Sequence, residues 1–110
     1  MAYDELLAAR ISDVLARKKN VASKKMFGGM GFLLNGNMLV GVWKNSLIVR
    51  LGVEVAEEAL REPHVRPFDI TGKPMKGWAL VEPIGIEDND QLTAWIDRAT
   101  KFVRTLPAKN

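Results

Sequence analysis

Apolar residues dominate residues 26–43, and their pattern predicts two strands joined by a tight turn at Asn35-Gly36. Asn-Gly is typical of a type I′ hairpin turn, because both residues tolerate a positive φ angle. The first half of the segment also contains three glycines, each of which weakens a strand: Gly28, Gly29 and Gly31. We expect these glycines to mark a bulge, a sharp bend or a second element packed very close, such as a helix over the last two.

The rest of the pattern predicts three helices and three further strands. Apolar residues at helical spacing favour a helix at residues 3–18 and a short one at 53–61. A last helix begins after Asp88, which forms a capping-box pattern with Gln91, and ends before Pro107. Strands are predicted at residues 47–51, 65–70 and 78–82, and Pro67 restricts the second of these to a sheet edge or an irregular strand.

The resulting order, α-β-β-β-α-β-β-α, predicts an α+β fold. Runs of consecutive strands favour one antiparallel sheet, and the apolar faces of the helices favour a two-layer sandwich with the helices on one face. The sequence shows no linker, internal repeat or low-complexity segment. We therefore expect residues 1–110 to form a single domain.

Charge is unevenly distributed along the chain. The net charge is only +3, but residues 14–53 contain no acidic residue and seven basic ones. Such asymmetry favours an anionic partner on one side of the molecule. The chain has no cysteine, and its acidic start and interrupted apolar segments resemble neither a secretory signal nor a membrane span. We expect a cytoplasmic protein.

The densest basic segment is the candidate binding site. It contains five cations within nine residues: Arg17, Lys18, Lys19, Lys24 and Lys25. One interpretation is a phosphate-binding surface, assisted by stacking of Phe27 and by Arg98, Lys101 and Arg104 of the last helix. The other is a solvated helix end and loop. No helix-turn-helix, zinc-finger or single-strand-binding signature accompanies the segment.

Catalytic and cofactor signatures are weak. The glycines fit neither a Walker pattern nor a dinucleotide fingerprint, and His64 is the single histidine. A nucleophilic pair would need Ser12, Ser23 or Ser46 beside that histidine. The paired carboxylates, Glu57-Glu58 and Asp88-Asp90, suit a solvated helix face and a helix start. We expect no enzyme activity, no metal site and no cofactor.

Two segments resemble the N-terminal domain of the TfoX (Sxy) competence regulators. They are Met26-Phe27-Gly28-Gly29-Met30-Gly31 with the following hairpin, and Gly72-Lys73-Pro74-Met75-Lys76-Gly77-Trp78. The resemblance extends over roughly residues 3–107 and implies a fold like that of secretion chaperones. It also implies a bacterial cytoplasmic protein linked to transcription of competence genes. The residues of these two motifs are expected to be structural: Met26, Phe27, Gly28, Gly29, Gly31, Gly72, Pro74, Met75 and Gly77.

The functional expectation is a non-enzymatic regulatory domain that binds a protein, either a transcription regulator or a second copy of itself. Full-length members of the family carry a further helical C-terminal domain, so this chain is expected to be a stand-alone N-terminal domain that retains partner binding. The alternative is a small nucleic-acid-binding protein that uses residues 17–25.

Overall fold

Six strands and three α-helices form the fold. The structure, a computed structural model, describes residues 3–26, 28–69 and 72–109. The helices are α1 (Glu5–Leu15), α2 (Val53–Ala59) and α3 (Asn89–Val103). The strands are β1 (Val21–Met26), β2 (Gly29–Leu34), β3 (Asn37–Trp43), β4 (Ser46–Arg50), β5 (Val65–Pro67) and β6 (Trp78–Val81). They form one antiparallel sheet in the order β1-β2-β3-β4-β6-β5.

All three helices cover the same face of the sheet. Leu7 and Ile11 of α1, Ala56 of α2, and Leu92 and Ile96 of α3 belong to one buried cluster, which also holds the inward-facing residues of the strands. Burial of each large aliphatic side chain contributes about 1.5–3 kcal/mol relative to exposure, so this shared core sets the positions of the helices. The predicted α+β class, with helices on one face, is confirmed.

The structure adds a strand, β1, to the predicted order. The basic segment up to residue 25 was interpreted as a phosphate-binding surface or as a solvated helix end and loop, and the first strand of the hairpin was predicted to include Gly28. In the structure Gly28 lies in the turn after β1, and β2 begins at Gly29. The pattern did not reveal β1 because its residues 22–25 are all exposed. Such a strand forms through main-chain hydrogen bonds and leaves no apolar alternation.

The Asn35-Gly36 turn has the predicted conformation. The φ angles are 53° at Asn35 and 81° at Gly36, both in the left-handed region that a type I′ turn requires. This turn joins β2 to β3 and keeps the chain in a continuous antiparallel meander from β1 to β4.

Close main-chain packing explains Gly29, and the expected helix over Gly29 and Gly31 was wrong. A Cβ atom at Gly29 would overlap the carbonyl oxygen of Val42. Gly31 lies opposite Gly41, which pairs in turn with Ile48 in a second cluster on the face away from the helices. A register shift between β2 and β3 at Phe32/Leu33 agrees with the predicted irregularity of this strand.

Side-chain caps fix the beginnings of two helices. The Asp4 carboxylate accepts a hydrogen bond from the N–H of Leu7, and Asp88 with Gln91 forms the predicted capping box. Each cap satisfies main-chain donors that the helix leaves unpaired. The first helix ends at Leu15, earlier than residue 18, so the basic residues 17–19 follow the helix and form a turn into β1.

A second, smaller apolar cluster lies on the face of the sheet away from the helices. Its buried members are Ile48, Phe68 and Leu80, and Trp43, Met75 and Trp78 pack against them. The segment after β5 therefore covers the β4–β6 half of this face. The predicted strand at 65–70 is shorter than expected, since β5 ends at Pro67 and residues 70 and 71 lie outside the described part of the chain.

Replacing Gly29 with alanine is expected to destabilise the protein. The new methyl group can be accommodated only if β2 and β3 move apart, so we expect Gly29→Ala to lower the free energy of unfolding by about 2–3 kcal/mol. Urea denaturation followed by circular dichroism measures the change. Gly85→Ala is the matched control, since its Cβ would meet only side-chain atoms, the nearest being a methyl group of Val81 at 2.9 Å, so we expect a smaller loss there. An equal loss in both variants would contradict the close main-chain contact at Gly29.

Candidate functional site at the open edge of the sheet

The five cations of the basic segment lie along one edge of the sheet. Arg17, Lys18 and Lys19 form the turn between α1 and β1, and Lys24 and Lys25 lie in β1 itself. Lys18 is half-buried and the other four are exposed. Since β1 is an outermost strand, all five side chains border an edge of the sheet. The predicted site is therefore distributed along an edge strand and the turn that precedes it.

The two lysines of β1 lie on opposite faces of the sheet. Lys24 pairs with Gly31, which faces away from the helices, whereas Lys25 pairs with Met30, which packs against the helix-covered core. Successive residues of a strand point to opposite sides, so the two charges flank the edge from both faces. They do not form one flat basic patch.

Main-chain groups of β1 point outward from this edge. The N–H of Asn35 donates to the carbonyl oxygen of Asn20 at 2.9 Å, which places the inward-directed groups at even-numbered residues of β1. Antiparallel hydrogen bonding alternates along a strand, so the N–H and C=O groups of Val21, Ser23 and Lys25 point away from β2. Within the described residues, β1 pairs with β2 alone.

The opposite edge of the sheet is much shorter. β5 has three residues and ends at Pro67, which has no N–H to donate. Beside it, Arg66 forms an ion pair with Glu82 at 3.6 Å. The two edges therefore differ in length and charge, and β1 offers the longer row of outward main-chain groups.

A surface cavity of about 230 Å³ lies between the C-terminal end of α1 and β1. Leu15 and Phe32, both buried, contribute apolar lining, and Lys18, Ser12 and Ser23 contribute polar groups. The cavity is on the helix side of the open edge, because Ser23 pairs with Phe32, a residue of the main core. It can accept a side chain that has an apolar stem and an anionic end.

The basic residues of α3 do not extend this site. Arg98 forms hydrogen bonds of 2.9 and 3.3 Å with the carboxylate of Glu62, and its guanidinium lies 4.2 Å from the centroid of the Trp95 ring. Arg98 and Lys101 line a groove beside α2, and Arg104 is exposed after the end of α3. The prediction that these residues join the basic segment was wrong for Arg98 and Lys101, because they lie beside α2 and not beside β1.

The structure separates two of the candidate nucleophiles, Ser12 and Ser23, from His64 by most of the width of the sheet. The histidine precedes β5, whereas Ser12 and Ser23 lie at the β1 edge, five strand spacings or about 24 Å away across the sheet. Ser46 is buried at the start of β4. Glu57 and Glu58 are exposed on α2, and Asp88 caps α3, as predicted from their positions. In the described residues no group of three histidines or carboxylates is placed to hold a metal ion.

A model of the TfoX N-terminal domain family matches residues 13–103 of the chain. The chain belongs to this family. Comparisons with curated proteins and with solved structures gave no match, so the likeness to secretion chaperones stays a prediction. In the described ranges, no helix of this TfoX N-terminal domain is long and apolar enough to cross a membrane.

The two motifs that carry the family resemblance each include a connection between strands and the strand residues beside it. Met26 ends β1, Gly28 lies in the turn, and Gly29 and Gly31 belong to β2, while Phe27 lies outside the described residues. In the second motif Gly72 and Pro74 are exposed and Met75 is half-buried. The carbonyl oxygen of Gly77 accepts hydrogen bonds from the N–H groups of Leu51 and Gly52, which ties the loop to the start of α2.

Sequence reasoning identified the cations of the TfoX N-terminal domain but missed the main-chain groups between them. The outward N–H and C=O groups of Val21, Ser23 and Lys25 belong to the backbone, so no residue type signals them. The cavity between α1 and β1 was missed as well, because its lining joins residues from α1, β1 and β2. The one feature of the sequence that pointed to this edge as a binding site was the absence of acidic residues from 14 to 53.

Proposed function

We propose that this chain is a non-enzymatic regulatory domain that acts through protein–protein contacts in the bacterial cytoplasm. Membership of the TfoX N-terminal domain family supports a link to transcriptional regulation. The single observation that carries the protein-contact part is the open edge of the sheet at β1, with outward main-chain groups along six residues.

An open edge supports protein contacts for a physical reason. Unpaired N–H and C=O groups on an outer strand form a template for another extended chain, and many recognition domains bind peptides in this way. The groups at Val21, Ser23 and Lys25 are spaced as such a template requires. The partner in this proposal is a regulatory protein.

Nucleic-acid binding is the second candidate function, and the cation cluster at the β1 edge favours it. Five positive charges border one edge, and no acidic residue lies between positions 14 and 53 to offset them locally. Lysine and arginine side chains bind phosphates irrespective of base sequence. In this alternative the main-chain groups of β1 contribute nothing, and binding depends on charge alone.

In-cell photo-crosslinking tests the proposed function. A photoreactive amino acid in place of Ser23 is expected to give one discrete protein adduct, because Ser23 is exposed on the open edge. The same substitution at Asp97, which is exposed on α3, is the matched control and is expected not to give this adduct. Depletion of the captured protein and deletion of this chain are expected to change an overlapping set of transcripts. An identical adduct pattern at both positions, or unaltered transcripts, would contradict the proposal.

Fluorescence anisotropy with labelled DNA and RNA tests the second candidate. If Lys18, Lys19, Lys24 and Lys25 each neutralise a phosphate, affinity falls by about 100-fold between about 50 and 200 mM salt. Changing the four lysines to glutamate then abolishes binding. Arg98→Glu, in a variant that remains folded, serves as the control for charge reversal beside α2. Undiminished binding of DNA and RNA by the fourfold variant would contradict nucleic-acid binding through these lysines.

A further inference from the structure

We propose that the β1 edge takes up an extended acidic segment of a partner protein as an additional strand of the sheet. The inference rests on the proposed function and specifies the chemistry of the partner. Three properties of the edge carry it: outward main-chain groups, cations on both faces, and the adjoining cavity.

The main-chain groups require a partner with both donors and acceptors. Val21, Ser23 and Lys25 each direct one N–H and one C=O outward, as the Asn35–Asn20 hydrogen bond and the antiparallel alternation establish. A peptide in extended conformation provides N–H and C=O groups at the same spacing. A DNA backbone provides phosphate acceptors but no donors for the three carbonyl oxygens, and an RNA backbone adds only its 2′-hydroxyl groups as donors. The edge therefore fits a peptide better than a nucleic acid.

The charges around the edge select an anionic strand and disfavour a second copy. Two β1 strands paired edge to edge would bring ten cations together, five from each copy, and like charges across a strand pair are destabilising. Lysines on an edge strand also discourage pairing with uncharged strands. A carboxylate directly opposite Lys24 or Lys25 would instead form a favourable cross-strand pair. Since these lysines lie on opposite faces, two consecutive acidic residues in the partner strand reach both.

The cavity beside β1 provides a place for one side chain of the added strand. The cavity lies on the helix side of Ser23, next to the place that an added strand would occupy. The stem of a glutamate would contact Leu15 and Phe32, and its carboxylate would lie near Lys18. Burial of the stem and pairing of the charge act together in this arrangement. The cavity therefore favours glutamate over aspartate at that position.

A synthetic peptide tests the inference directly. The probe is a short labelled peptide in which valine and glutamate alternate around a central pair of carboxylates, titrated against the purified protein by anisotropy. Its matched control has glutamine at every glutamate. Because cross-strand charge pairs contribute only fractions of a kcal/mol each, we expect the acidic peptide to bind about tenfold more tightly than the glutamine peptide. Equal affinity of the two peptides would overturn the inference.

Protein variants separate strand addition from charge attraction. Ser23→Pro removes an outward N–H and leaves the hydrogen bonds to β2 intact, so it is expected to lower peptide affinity by about tenfold. Ala94→Ser, a small change on the exposed face of α3, is the control and is expected to bind like the original protein. Undiminished binding by a folded Ser23→Pro variant would overturn strand addition.

Two further experiments test the inference even if Ser23→Pro fails to fold: reversal of the lysine charges of β1, and hydrogen exchange of its main-chain amides. The double variant Lys24→Glu and Lys25→Glu is expected to lose affinity for the acidic peptide. It is expected to bind instead a peptide in which lysine replaces each glutamate. In the original protein the acidic peptide is expected to slow hydrogen exchange at the amides of Val21, Ser23 and Lys25. Binding of the peptide without protection of these amides would show attraction without strand pairing and would overturn the inference.

The test distinguishes this inference from the proposed function. A partner captured through Ser23 in cells, together with no preference for the acidic peptide, would leave the regulatory domain in place and reject the acidic strand. Specific peptide binding without any captured protein or transcript change would support the edge as a strand-binding site and reject the regulatory role.

Discussion

Main-chain hydrogen bonding between β1 and β2 is the constraint on which the site depends. It turns a stretch of exposed, mostly polar residues into a strand, and it commits alternate N–H and C=O groups to β2. The remaining groups then point outward in a row, with a lysine on each face of the sheet. Without this pairing, residues 17–25 would be a mobile basic loop, and its charges would have no fixed relation to one another.

The arrangement of the helices leaves this edge of the sheet available. The three helices bury the same face of the sheet, and α1 ends close enough to β1 to form a cavity beside it. The basic turn 17–19 follows directly from the end of α1. Cations, cavity and outward main-chain groups therefore occupy one edge because a helix, a turn and a strand succeed one another there. The edge at β5 is shorter, and its cation Arg66 is paired with Glu82.

Local chemistry determined which features could be predicted from the sequence. The Asn35-Gly36 turn, the capping box at Asp88 and the amphipathic α3 depend on neighbouring residues, and all three were predicted. The strand β1 was not, because exposed residues on an edge leave no apolar pattern. The role of Gly29 depends on a carbonyl group of β3, and the position of Arg98 depends on Glu62, which lies 36 residues earlier. Cations were identified from composition, but tertiary contacts decided which of them share a surface.

Amide hydrogen exchange along β1 in the free protein tests the central claim most directly. If the edge is open, the amides of Ala22 and Lys24, which are bonded to β2, exchange slowly, and those of Val21, Ser23 and Lys25 exchange fast. Nuclear magnetic resonance resolves this alternation residue by residue. Fast exchange in the odd-numbered residues alone is the result we expect. Uniform protection along β1 would mean that the edge is already covered, and uniform fast exchange would mean that β1 is not a strand; either result would contradict the account.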